Sequence, residues 1–196
     1  VFLIKVSDGS NLHSLNPNGE DRFYASSFSP DGNSIALAGN GDFYISNVTS
    51  QQTLSSITNP PSSINDIAWS PDGNYIAMCG GWEGSSASFD MYEYTGSSWN
   101  RIWEKTTTTS CASVDFASDG SQVAVGMYWY GNDGASAYVY ETDTGNQIDV
   151  FSGPRPGGCS SGSNNNCGVL YGISWSPDSN HIVSAHGRND EGVYYW

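Results

Sequence analysis

Groups able to do chemistry are sparse in this 196-residue chain, and their spacing limits what they can be. Three histidines stand far apart at His13, His181 and His186, with no Ser/His/Asp order, Cys/His pair or metal-ligand spacing around them. The densest polar cluster is His186, Arg188, Asp190 and Glu191. It reads foremost as a solvated loop with local ion pairs. Gly39-Asn40-Gly41-Asp42 and Gly131-Asn132-Asp133-Gly134 carry oxygen atoms suited to calcium, yet fewer than a calcium loop supplies. Turn chemistry explains both without an ion. No metal or catalytic residue is expected, and calcium is the only cofactor alternative.

The elements that would position such groups come from a repeated phrase. Phe28-Ser29-Pro30-Asp31-Gly32, Trp69-Ser70-Pro71-Asp72-Gly73, Phe116-Ala117-Ser118-Asp119-Gly120 and Trp175-Ser176-Pro177-Asp178-Ser179 are four versions of it. Each joins an aromatic residue, a tight turn and a short apolar run, such as Ile35-Ala36-Leu37 or Ile76-Ala77-Met78. Pro presets φ, Asp caps the turn and Gly supplies positive φ, so the phrase is a hairpin. Ser179 in place of Gly predicts a turn of stricter tolerance or altered shape. The Asp residues are 41 (31 to 72), 47 (72 to 119) and 59 (119 to 178) positions apart. A period of ~40–45 residues with four strands per unit marks a propeller blade, and loop insertions on a constant blade give the longer intervals.

Third strands rich in aromatics follow at Phe43-Tyr44-Ile45, Met91-Tyr92-Glu93, Tyr138-Val139-Tyr140 and Val193-Tyr194-Tyr195-Trp196. The chain thus resembles the WD-repeat propeller family and its relatives with the Ser-Pro-Asp-Gly hairpin. Trp196 stands where that family's Trp would be, and Tyr140-Glu141 before Thr144-Gly145 is a softened Trp-Asp and turn. The resemblance implies an all-β arc of four-stranded antiparallel blades. No clear Gly-His pair opens each repeat and most copies lack Trp-Asp, departures that put the family's hydrogen-bonded tetrad in question here. The expected layout is the back half of one blade (1–16), blades at about 21–57, 62–104 and 110–152, and a partial blade at 168–196. That arc is incomplete at both ends. It belongs to a larger propeller or is completed by a neighbouring chain, since edge strands invite pairing.

Composition narrows the partners. Six Lys and Arg against twenty Asp and Glu give a formal charge of −14. Nucleic-acid binding needs clustered cations and is excluded. No stretch approaches the ~20 apolar residues of a membrane-spanning helix. Only 13% of residues are charged, against ~25% on average, so the surface is mainly neutral and polar. That style suits an extracellular or cell-surface protein, with the cytoplasm as the alternative.

Cysteines point the same way. Cys159 and Cys167 flank a polar run in an inserted loop, where a disulfide would limit the entropy of the unfolded chain. Cys79 and Cys111 fall at the same end of adjacent blades, so a second disulfide competes there with two small buried thiols. Asn47-Val48-Thr49 is a glycosylation sequon.

On the face that carries second-to-third-strand and inter-blade connections, Trp82, Tyr128, Trp129, Tyr130, His186 and Arg188 form the expected contact surface. Rings with polar tips suit protein interfaces and can stack on sugars. Three functions follow. The first is a non-catalytic extracellular or surface propeller for binding or assembly, with protein partners or its own copies, as in a filament, sheath or layer. The second is a propeller hydrolase or lyase, for which Asp66 and Asp115 are the only channel candidates. The third is an intracellular interaction scaffold. For the first, non-reducing peptide mapping of native material should recover Cys159 and Cys167 in one linked peptide, whereas two free thiols there would count against an oxidising compartment.

Overall fold

The computed structural model describes residues 2–14, 22–57, 60–61, 63–81, 87–107, 109–127, 136–152, 169–187 and 192–196. These residues form strands and turns and no helix. A hairpin comes first, from β1 (Phe2–Ile4) and β2 (Asn11–Ser14). The first blade has β3 (Phe23–Phe28), β4 (Ser34–Gly39), β5 (Phe43–Asn47) and β6 (Thr53–Ser56). The second has β7 (Ile64–Trp69), β8 (Tyr75–Gly80), β9 (Ala87–Tyr94) and β10 (Trp99–Thr107). The third has β11 (Cys111–Phe116), β12 (Gln122–Met127), β13 (Ser136–Glu141) and β14 (Gln147–Ser152). A three-stranded sheet closes the series, from β15 (Val169–Trp175), β16 (Ile182–Gly187) and β17 (Gly192–Tyr195). Within each sheet the strands pair antiparallel in chain order.

Each repeated phrase builds the turn between the first and second strand of its sheet. In the first, Ser29 Oγ donates to Asp31 Oδ1 (2.6 Å) and accepts from Ser34 N (2.9 Å). Asn33 N donates to the same carboxylate, and Gly32 sits at φ 71°. The second turn repeats every one of these bonds on Ser70, Asp72, Asn74 and Tyr75. The last turn keeps this shape despite its sequence: Ser179 adopts φ 58° and its N–H reaches Ser176 O at 3.0 Å. The altered turn expected there does not occur. A left-handed non-glycine costs about 1–2 kcal/mol. Here the Ser179 hydroxyl offsets part of it, lying 2.7 Å from Ser118 Oγ and accepting from Asp119 N.

Adjacent turns touch, which places all four on one rim. A Cβ on Gly73 would lie 3.4 Å from Pro30, and one on Gly120 would lie 3.6 Å from Pro71. Ser118 Oγ donates to Pro177 O at 2.6 Å.

Sheets meet face to face through a division of side-chain size on the second strands. Ile76 and Met78 pack toward the first blade, while Ala77 and Cys79 face the third. Similarly Val123 and Val125 face the second blade, and Ala124 faces the last sheet. Large side chains of one blade therefore enter the shallow face of its neighbour. Leu170 shows how tight the fit is, since a Cβ on Gly126 would lie 2.1 Å from its Cδ2.

One covalent link reinforces this packing. Cys79 of β8 and Cys111 of β11 form a disulfide across the second and third blades, with Cα atoms 5.4 Å apart and both side chains fully buried. In the last sheet Trp196 Nε1 donates to Ser184 Oγ (3.0 Å), which lies 2.9 Å from His186 Nε2. A three-membered polar brace thus forms around Trp196, just after β17, at the position matched to the family's Trp.

The disulfide bridges a separation of 32 residues, for which loop-closure entropy alone corresponds to roughly 3–4 kcal/mol. Replacing both cysteines with alanine should lower the unfolding free energy by about that amount in denaturant titrations, and reducing the native protein should act in the same direction.

Candidate binding surface

The two carboxylates suited to a channel site are built into the blade contacts instead. Asp66 lies on β7 just after a bulge between Ile64 and Asp66. The same irregularity recurs at Phe23/Ala25, Cys111/Ser113 and Leu170/Gly172, in the first strand pair of each of the other three blade sheets. A bulge re-aims the side chains around it. Asp66 Oδ2 consequently accepts from Val114 N and Ser113 Oγ of the next blade, both at 2.9 Å. Asn65, the extra residue, donates to Cys111 O at 2.8 Å. One blade on, Asp115 Oδ2 accepts from Trp175 N (2.7 Å) and Ser174 Oγ (3.0 Å), and Ser113 Oγ accepts from Ile173 N (3.3 Å). Side chains of one inner strand thereby satisfy the open backbone edge of the next. Burial raises the Asp66 pKa above the ordinary carboxylate value, and the bonds from Val114 and Ser113 oppose it only in part.

A second buried carboxylate lies farther out in the second blade. Asp90 on β9 is fully buried, 3.1 Å from Arg101 Nη1 and 3.2 Å from the Tyr92 hydroxyl. Burial raises its pKa against the pull of Arg101. Nothing in the sequence around Phe89-Asp90-Met91 marks this position, because the alternation there suits a covered strand with any residue on that face.

At the hairpin rim, a cleft of about 380 Å³ opens between the first and second blades. Trp69, Tyr94 and Trp99 line it as a ring cluster: Trp69 and Trp99 meet edge-to-face at 5.3 Å, and Tyr94 lies 5.1 Å from Trp99. Trp69 is fixed by its Nε1–H, which donates to Ser27 O of the first blade. Leu54 and the carboxylates Asp31 and Asp72 complete the parts that matter here. Equivalent positions at the first two junctions differ in size. Ser55 opposes Ile45 in the first blade as Trp103 opposes Met91 in the second. Trp103 fills its junction, donating to Thr142 O and closing over Gly145, where a Cβ would lie 2.7 Å from the indole. Ser55 leaves the corresponding junction open.

The contact surface expected from sequence falls largely outside the described residues: Trp82, Tyr128, Trp129, Tyr130 and Arg188 all lie there, as do Cys159 and Cys167. His186 is described, and it is a correction. Only 8% exposed, it packs edge-to-face on Tyr194 and lies beside Ser184, so it is an interior side chain and not a contact group. Asn47 ends β5, where its Oδ1 accepts from Thr49 N and Ser50 N in the turn. Gly39 to Asp42 form a backbone-bonded turn, and among the described residues no three acidic, His or Cys side chains converge for a metal.

The turn carboxylates set an acid limit on stability. Hydrogen bonds from Ser29 and Asn33 lower the pKa of Asp31, and those from Ser176 and Asn180 lower Asp178 to about 2. A carboxylate held low when folded adds stability above its ordinary value that is lost as pH falls through the folded value. For Asp178 that window runs from 3.8 down to about 2. Asp66, raised instead by burial, contributes with the opposite sign: its stabilisation is present below the unfolded value and lost as pH rises through the folded one. In thermal melts, Asp178→Asn should therefore lose less stability than the native protein on acidification through the Asp178 window. Parallel decline of the two would show that this turn carries no such linkage.

Comparison with known proteins agrees with this architecture. Residues 51–86 match the model of the WD domain, G-beta repeat. Among solved structures, hydrazine synthase of Kuenenia stuttgartiensis superposes with a TM-score of 0.75 at 15% identity, over 94% of this chain and 49% of that one. The Cps50 (Swd1) β-propeller domain of Myceliophteria thermophila gives a TM-score of 0.75 at 13% identity, over 100% of this chain and 62% of that one. The chain thus spans about half to two thirds of the length of these structures, and at such identity they show the fold alone. No curated protein sequence matches. In sequence repeat and in fold, this chain is a WD-repeat-like β-propeller arc.

Proposed function

We propose that this arc is a non-catalytic protein-interaction module of an extracellular or surface protein. The observation that carries the reading is the commitment of Asp66 and Asp115 to backbone groups of the following blade. A carboxylate that must stay in place to hold two strands together is poorly suited to proton transfer with a substrate. Repeats of the WD type commonly present rims and faces to other proteins, and the aromatic cleft on the hairpin rim offers one such place. The buried Cys79–Cys111 link favours an oxidising compartment, as does a surface with few charges. Assembly with further copies, and a glycan at Asn47, fit the same setting.

This chain holds two lysines, Lys5 and Lys105, against twenty Asp and Glu, so carboxyl-reactive coupling suits the test. Dihydrazide cross-linking of intact source material should join aspartates of the hairpin rim to a second protein or a second copy. An impermeant surface label should reach the same molecules. Exclusively intramolecular links, or a pool labelled only after lysis, would overturn respectively the interaction role and the surface location.

A further inference from the structure

We propose that the cleft between the first and second blades binds the side chain of an arginine or lysine on a protein partner. This rests on the interaction reading above and names the chemistry of one contact. The volume, about 380 Å³, falls in the range of small-ligand sites, roughly 300–1,000 Å³. Its lining is aromatic, aliphatic and acidic, with serine hydroxyls between, and contains no Lys, Arg or His. The faces of Trp69 and Trp99 attract a cation through their ring quadrupoles. Leu54, 57% exposed, offers the aliphatic stem a surface to lie on while the charged head reaches the acids.

Asp31 and Asp72 are prepared acceptors. In each, Oδ1 is occupied by the turn, while Oδ2 accepts one bond among the described residues, from Asn33 Nδ2 (2.9 Å) or Asn74 Nδ2 (2.7 Å). A carboxylate oxygen offers about two lone pairs, so each Oδ2 can take another donor. The bonds within each turn hold these oxygens in place before a ligand arrives. The formal charge of −14 adds a field of the same sign. A neutral saccharide is less suited, because the open lone pairs belong to charged carboxylates, which favour a cationic donor, and the lining offers only serine hydroxyls and no Asn, Gln or Arg amide or guanidinium beside them.

The intact protein, labelled with fluorotryptophan, allows a direct test by fluorine resonance, with Trp69 and Trp99 assigned through single Trp→Phe replacements. The probes are a capped Gly-Arg-Gly peptide, its neutral Gly-citrulline-Gly counterpart, and cellotriose. Expected are saturable shifts at Trp69 and Trp99 with the arginine peptide, half-complete on the order of millimolar. These should weaken several-fold between about 0.05 and 0.5 M salt, and they should be absent with citrulline. Ser55→Trp, which installs the side chain used at the next junction, should abolish them. Should that variant misfold, the charge and salt comparisons still decide. Equal shifts from citrulline, shifts from cellotriose alone, or silence at both indoles overturn the proposal. Shifts confined to other tryptophans overturn the cleft but leave the interaction module standing. Saturation of the cleft in a protein that cross-links to nothing would reject the module and keep the cleft.

Discussion

Everything in this arc depends on the packing of large side chains from one second strand into the shallow face of the next blade. The sheets are separate hydrogen-bonded units, so side chains carry the junctions between them. Ile76 and Met78 on one side of β8, and Ala77 and Cys79 on the other, give the strand a thick face and a thin one. Stacking thick against thin lets successive sheets approach closely without voids, which a dense interior requires. The Cys79–Cys111 link exploits this closeness, since a thin face brings the backbone of β8 near enough to β11 to bridge.

Packing alone leaves the inner strands with an open edge, and buried backbone groups without partners are costly. The recurring bulge solves this by turning Asp66, Ser113 and Asp115 toward the next blade. A bond to a charged acceptor contributes about 1.5–3 kcal/mol, so these contacts rival a deleted methylene or two in the core. Their position explains why the most channel-like acids of the chain are structural groups. Binding chemistry has to come from elsewhere, and the rim is where turns of fixed shape hold acids at regular spacing.

The fold was legible because its turn chemistry is local. Ser-Pro-Asp-Gly specifies a hairpin within five residues, and four such phrases specify a repeat. The apolar runs behind them fixed which strands are central. What the sequence concealed depends on register. One extra residue at Asn65 exchanges the faces of Asp66 and its neighbours, and no alternation pattern announces it. His186 was misplaced for the same reason, since polar neighbours in sequence suggested a loop while β16 carries it inward. The cleft was invisible for another reason. A serine stands there at the position of Trp103, a comparison that needs the strand pairing as well as the repeat.

That substitution also separates the roles of two aromatic groups that look alike in composition. Trp103 spends its ring on Phe89 and Tyr140 and its N–H on Thr142 O, sealing a junction. Trp69 and Trp99 pack on one another at a junction left unsealed, so part of their surface faces a cavity. A repeat protein can make this change without disturbing its neighbours, because each blade touches only the next. A small side chain at such a junction would ordinarily leave a destabilising void. On the rim the void is open to water and bordered by acids, so a small side chain there leaves a place suited to a cationic one.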